Sequence, residues 1–275
     1  MAYKRKKYTF PDSVEYEYVY KGKYGAKGEK RAPKKQVTKE QIAKQNQWIR
    51  ENTLRRVIKL NFKEGDLWIC IKYPKGYRPS LEQVITDMEH FRKNVGNAYR
   101  KRGSPFKWIS RLEIGSRGGI HAHMIINRIE GADLILETKW RAILKKCGFE
   151  GKKAAGMIDY KSIYGAGDYK DLAEYIAKQP EEDSTEEKQL SLFAPVQQKK
   201  LLKISTSRNL IRPVPEVKEY KNRTMRRLVE EGPEASQGFY IDQESIVSGI
   251  NPYTGMSYLY YTEHRIRGRT NRGHP

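Results

Sequence analysis

Between residues 67 and 179 the chain switches repeatedly between two hydrophobic rhythms, and the order of the switches predicts its fold. Residues 67–73 form an apolar, β-branched run ended by Pro74 and Gly76, which reads as a strand. Ser80, with Gln83 three residues on, opens a helix in which Val84, Met88, Phe91, Val95 and Ala98 recur at helical spacing, and Gly103 stops it. Residues 107–115 and 120–127 read as two strands joined by Ser116-Arg117-Gly118-Gly119 in a hairpin. Asp133 is a good cap for a second helix, which buries Leu136, Trp140, Ile143 and Leu144 and ends before Gly148. A short strand near 156–160 follows, then a helix over 168–179 stopped by Pro180. The order β-α-β-β-α-β-α predicts an α+β fold, an antiparallel sheet of about five strands with helices packed on it.

The flanks are patterned differently. Residues 1–37 are basic and rich in Tyr and Gly, lack apolar periodicity, and read as a flexible arm. Thr38 with Gln41 makes a capping box for a helix over 38–56, so the main domain is expected over 38–180. The acidic, then polar residues 181–199 read as a linker. Residues 200–275 are a basic C-terminal extension in which 238–262 alternate like a hairpin about Asn251-Pro252-Tyr253-Thr254-Gly255, and the tail from 265 reads as disordered.

Charge narrows the partners. Lys and Arg number 54 against 33 Asp and Glu, a net +21 that calls for a polyanion, and nucleic acid is the obvious one. The 19 Tyr and 4 Trp suit stacking on bases. A membrane partner is not expected, because no basic amphipathic helix stands out and no apolar run approaches ~18 residues. The opening MAYKRKKYTF has no apolar run after its charges, so no signal peptide is expected and a cytoplasmic location is. The two cysteines, Cys70 and Cys147, sit in apolar segments and read as small buried hydrophobes rather than a disulfide framework or a cysteine-based zinc site. The Gly-rich stretch 22–28 lacks the Lys-Ser/Thr ending of a P-loop, so no nucleotide-driven motor is expected.

Candidate chemistry concentrates in Ile120-His121-Ala122-His123-Met124. Strand alternation puts both imidazoles on one face and the apolar residues on the other, which makes half of a divalent metal site. Glu113 on the preceding strand falls opposite His121 if the turn has an odd number of residues, as in a three-residue loop with a left-handed glycine. A carboxylate and two imidazoles suit Mn²⁺ or Mg²⁺. Farther on, Tyr175 and Lys178 are three apart on the last helix and share a face, a phenol nucleophile beside an ammonium that could stabilise it or a phosphate. Tyr169, six residues earlier, is roughly 120° off that face at ~100° per residue and reads as structural.

This combination, over roughly residues 60–180, resembles the HUH endonuclease superfamily, specifically its rolling-circle replication initiators. The resemblance implies a ferredoxin-like nuclease domain in which Glu113, His121 and His123 hold the metal, Tyr175 is the nicking tyrosine and Lys178 the lysine of the third motif. It implies attack on single-stranded or melted origin DNA, giving a 5′-phosphotyrosyl link and a free 3′-hydroxyl for a host polymerase. Unwinding would fall to a separate helicase, and termination to water or to the tyrosine of a second subunit in a homodimer. The strand Trp68-Ile69-Cys70-Ile71-Lys72-Tyr73 stands where the family's first motif lies but lacks its threonines. Ser205-Thr206-Ser207-Arg208-Asn209-Leu210 is similar to a segment found after the nuclease domain in plasmid and phage members. Relaxases, which usually place the tyrosine before the histidines, and transposases of the same superfamily are the nearest alternatives. A non-catalytic basic nucleic-acid-binding protein is the alternative from another class.

Overall fold

The computed structural model describes residues 2–21, 36–164, 166–180 and 184–266. In chain order the strands and helices are β1 (Tyr3–Thr9), β2 (Ser13–Tyr20), α1 (Lys39–Asn61), β3 (Leu67–Ile71), α2 (Leu81–Lys101), β4 (Trp108–Ile114), β5 (Ile120–Ile126), α3 (Ala132–Lys146), β6 (Ile158–Ser162), α4 (Lys170–Ala177), α5 (Thr185–Ser191), α6 (Pro195–Leu201), β7 (Ser205–Thr206), β8 (Glu216–Tyr220), α7 (Asn222–Glu230), β9 (Phe239–Asn251) and β10 (Met256–Arg265). The protein is α+β, with two five-stranded antiparallel sheets among the described residues. The chain divides into one unit formed by residues 1–44 and 213–275 and another formed by 45–212.

The unit of residues 45–212 carries the expected order β3-α2-β4-β5-α3-β6-α4. Its sheet runs β6-β3-β5-β4-β7. Alternation along each strand gives it two apolar faces. Leu67, Ile69, Ile71, Ala122, Met124 and Ile126 face one way and pack with Val84, Met88, Phe91 and Val95 of α2 and Leu136, Trp140 and Leu144 of α3. Ile109 and Ile125 face the other way and pack with Leu54, Val57 and Ile58 of α1, Ala173, Ile176 and Ala177 of α4, and Leu210. The sheet is therefore the middle of three layers, and charged residues on its α1–α4 side are held in a largely apolar setting.

Local signals explain most boundaries. Thr38 Oγ1 accepts from the Gln41 amide at 3.3 Å while Gln41 Oε1 accepts from the Thr38 amide at 3.1 Å. Ser80 caps α2 through the Gln83 amide at 3.2 Å. Asp133 does not cap α3. Gly131, with φ +66°, turns the chain into the helix and leaves Asp133 in its first turn. One buried carboxylate joins two loops of this unit: Asp66, 2% exposed, accepts from the amides of Lys63 at 2.9 Å and Arg128 at 2.8 Å. Asp66→Ala strands both donors, so it should cost about 3 kcal/mol of unfolding free energy, read by chemical denaturation of the full chain.

Three stretches differ from expectation. Residues 3–20, read as flexible arm, form β1 and β2, while 22–35 lie outside the described residues. They pair with strands more than two hundred residues away: Tyr3 opposite Tyr220, and Tyr16 opposite Tyr261. In that unit's sheet, β8-β1-β2-β10-β9, Tyr3, Tyr16, Tyr18 and Tyr261 pack with Met225, Met256 and Leu259. Tyrosine can bury its ring and keep its hydroxyl hydrogen-bonded, which hid the core side of these strands in a sequence read as polar. Residues read as linker form α5, capped by Ser184 through the Glu187 amide at 3.1 Å, and α6, anchored by buried Leu190 and Leu201. Ser205–Thr206, placed in the extension, is an edge strand on β4, extended by a hydrogen bond from Ser207 N to Trp108 O at 2.9 Å. Strands β9 and β10 form the expected hairpin about residues 251–255, and 267–275 lie outside the described residues.

Candidate active site

The hairpin of β4 and β5 sets the site. Gly115 N donates to Gly119 O at 2.9 Å and Gly118 N to Gly115 O at 2.8 Å, leaving a three-residue turn whose Gly118 sits at φ +73°. That geometry favours glycine, and the odd count pairs Glu113 with His121 and Arg111 with His123. On the next strand Cys70 pairs with His123. Five side chains from three adjacent strands, Cys70, Arg111, Glu113, His121 and His123, thus share one face of the sheet. Gly115 keeps room for the first imidazole, since a Cβ there would lie 3.3 Å from His121 Cε1.

Glu113 is the hub. Its Oε2 is 2.8 Å from His123 Nε2 and its Oε1 3.8 Å from His121 Nε2. Burial alone would raise its carboxyl, but hydrogen bonds and charge from His121 and His123 hold it well below the usual carboxylate range. His123 is buried, stacked on Trp68 at 5.2 Å between ring centroids. Tyr175 reaches in from α4. Its hydroxyl donates to Glu113 Oε2 at 3.1 Å and lies 3.4 Å from His123 Nε2, while its ring meets Trp68 and His123 edge-on. Burial and the Glu113 carboxylate push the phenol up to about 12, yet the residue remains 47% exposed, so a large substrate can reach it.

Helix α4 is held at both ends. Asp168, with φ +58°, pairs with Arg55 at 2.8 Å and with Lys59, both on α1. At the other end Arg111 donates to the carbonyls of Ile176, at 3.0 Å, and Lys178, and pairs with Glu186 at 3.3 Å; Gln47 donates to the Ala177 carbonyl at 3.0 Å. These are carbonyls a helix end leaves unpaired. The helix stops at Ala177. Lys178 is its C-cap, with ψ 133°, so it leaves the helix and does not share a helical face with Tyr175 as the spacing suggested. Lys178 is exposed. Tyr169, at φ +62°, precedes α4 and packs partly buried against the core on this side of the sheet.

The structure brings together Glu113, His121, His123 and Tyr175, with Lys178 just past the end of the tyrosine helix. Sequence reasoning missed Cys70 and Arg111. Cys70 is not the inert core residue expected: Leu67, Ile69 and Ile71 take the core side of β3, which leaves positions 68 and 70 on the site face, a period-2 consequence available from the sequence. Burial pushes its thiol up to about 11. Cys70, His121 and His123 each offer a donor atom, and these lie within 4.8 Å of one another, close enough to share one metal ion.

The donor set suits a divalent cation. Carboxylate, imidazole and thiol side chains converge on one face, and His123 Nδ1 is buried without a hydrogen-bond partner. No curated protein and no solved structure matches the chain. Residues 66–180, which hold the whole cluster from Cys70 to Lys178, match the family of replication-associated proteins of the ORF2 type, in keeping with a rolling-circle replication protein.

Proposed function

We propose that the protein initiates replication by nicking single-stranded or locally melted origin DNA, with Tyr175 as the nucleophile and the 5′ phosphate left on that tyrosine. The observation that carries this reading is the approach of the Tyr175 hydroxyl to within 3.1 Å of Glu113 and 3.4 Å of His123. A phenol placed on a cluster of carboxylate and imidazoles has little structural purpose at a half-exposed position, and phenolate is a fair nucleophile at phosphorus.

In the proposed reaction Glu113 Oε2 orients the hydroxyl by accepting its hydrogen bond. Being held far below the usual carboxylate range, that oxygen does not keep the proton, which passes to solvent. Tyr175 Oη then forms a bond to phosphorus as the bond to the 3′ oxygen breaks, and that oxygen takes up a proton to become a free 3′-hydroxyl. The phosphodiester energy is kept in the phosphotyrosyl link, so a later 3′-hydroxyl can reseal the strand. Glu113, His121 and His123 would hold Mn²⁺ or Mg²⁺, which when bound supplies Lewis-acid stabilisation of charge on the phosphate. Trp68 and Arg111 keep the reacting rings and helix end in place, and the net +21 charge draws the strand in. A host polymerase would extend the 3′ end, and a separate helicase would unwind ahead of it.

The test is incubation of the full chain with Mn²⁺ and single-stranded DNA from its own locus, followed by denaturing electrophoresis. A protein–DNA adduct that survives denaturant and is lost with a chelator is expected; tight binding with no adduct would leave a nucleic-acid-binding protein and overturn the reading. Lys178→Ala should slow adduct formation roughly tenfold to a hundredfold without eliminating it, because an exposed ammonium contributes less than a preorganised buried donor. Single-turnover rates would measure this.

A further inference from the structure

We infer that Cys70 gives this centre a second ligand set, in which its thiolate joins His121 and His123 to hold a thiophilic divalent cation such as zinc, cobalt or cadmium. The inference rests on reading the histidine pair as metal-binding, and it adds a ligand that the proposed nicking chemistry does not use.

Three observations carry it. First, Cys70 is the register partner of His123, and side chains opposite one another on adjacent antiparallel strands stand about 5 Å apart at Cβ. Second, one donor atom from each of Cys70, His121 and His123 already lies within 4.8 Å of the others. Zinc bonds of about 2.3 Å to sulfur and about 2.0 Å to nitrogen put tetrahedral ligands roughly 3.5 Å apart, so small side-chain rotations close the set. Third, His123 Nδ1 is buried and has no hydrogen-bond partner, so this imidazole has a nitrogen to offer while the other stays on Glu113. Sulfur selects borderline and soft cations, whereas the carboxylate set with Glu113 suits harder ones. Two sets sharing one histidine pair make the two classes of cation compete for one place. Binding through sulfur is not a redox step: the thiol gives up its proton to solvent and the sulfur lone pair forms the bond to the ion.

The test is titration of the metal-free full chain with Co²⁺, watched in the near ultraviolet for a thiolate-to-cobalt charge-transfer band. The band should be present in the wild type and in Cys147→Ser, and absent in Cys70→Ser. Cys70→Ser should also weaken Zn²⁺ binding on the order of 100-fold while changing Mn²⁺ binding less than about threefold; a merely structural defect would weaken both. No band in the wild type, a band kept in Cys70→Ser, or equal loss of both metals overturns the inference. The adduct assay with Mn²⁺ on the wild type separates the two readings. A cobalt band with no adduct removes the nicking reading and keeps this one, and an adduct with no band does the reverse.

Discussion

Tyr175→Phe should abolish the denaturant-stable adduct, a loss of about 10³-fold or more, while DNA binding stays within about twofold. The change removes one oxygen. The ring keeps its edge contacts with Trp68 and His123, and Arg111, Gln47 and Asp168 still hold the helix, so the fold and the basic surface are preserved. What goes is the atom 3.1 Å from Glu113. Nitrocellulose retention without denaturant measures binding, and electrophoresis in denaturant measures the covalent link; an adduct persisting in Tyr175→Phe would move the nucleophile elsewhere. The wild-type rate carries a pH signature as well. With the phenol at about 12, phenolate is a small fraction at neutral pH and grows about tenfold per unit as pH rises, so the metal-limited rate should climb through the neutral range rather than fall.

The second large effect belongs to the imidazoles. His121→Ala and His123→Ala should each abolish the adduct and reduce Mn²⁺ affinity by about 100-fold or more, read by calorimetric titration. They should differ in stability. His123 is buried against Trp68 and Glu113, so its loss leaves a cavity and an under-partnered carboxylate, at roughly 2 kcal/mol. His121 is more exposed, and its removal should cost less than about 1 kcal/mol. A His121→Ala protein that melts like the wild type yet forms adduct at the normal rate would take the metal reading down with it.

Much of this centre was legible in the sequence because its parts are local. The spacing of His121 and His123 fixes their face, and the glycines of the hairpin fix which residue opposes His121, without any distant partner. The order β3-α2-β4-β5-α3-β6-α4 was legible for the same reason: each element carries its own periodicity, caps and stops. The rest was hidden where partners are remote or side chains are ambivalent. Strand β1 pairs with β8 across the length of the chain, and its core residues are tyrosines that read as polar. Helix α5 looked like a linker because its acidic residues drew attention from the Ser184 cap and from Leu190, which seals it down. Arg111 was invisible as a helix-end donor, because nothing in its own strand says that a helix sixty-odd residues later ends above it.

Helix α4 spans only two turns, too short to persist by itself. Its posture is lent by α1 and β4, elements that contribute no attacking atom. Transplanting residues 170–177 to a foreign scaffold would therefore deliver the phenol without its aim. Drift at Arg55 or Gln47, remote in sequence, would blunt the enzyme as surely as damage at its centre.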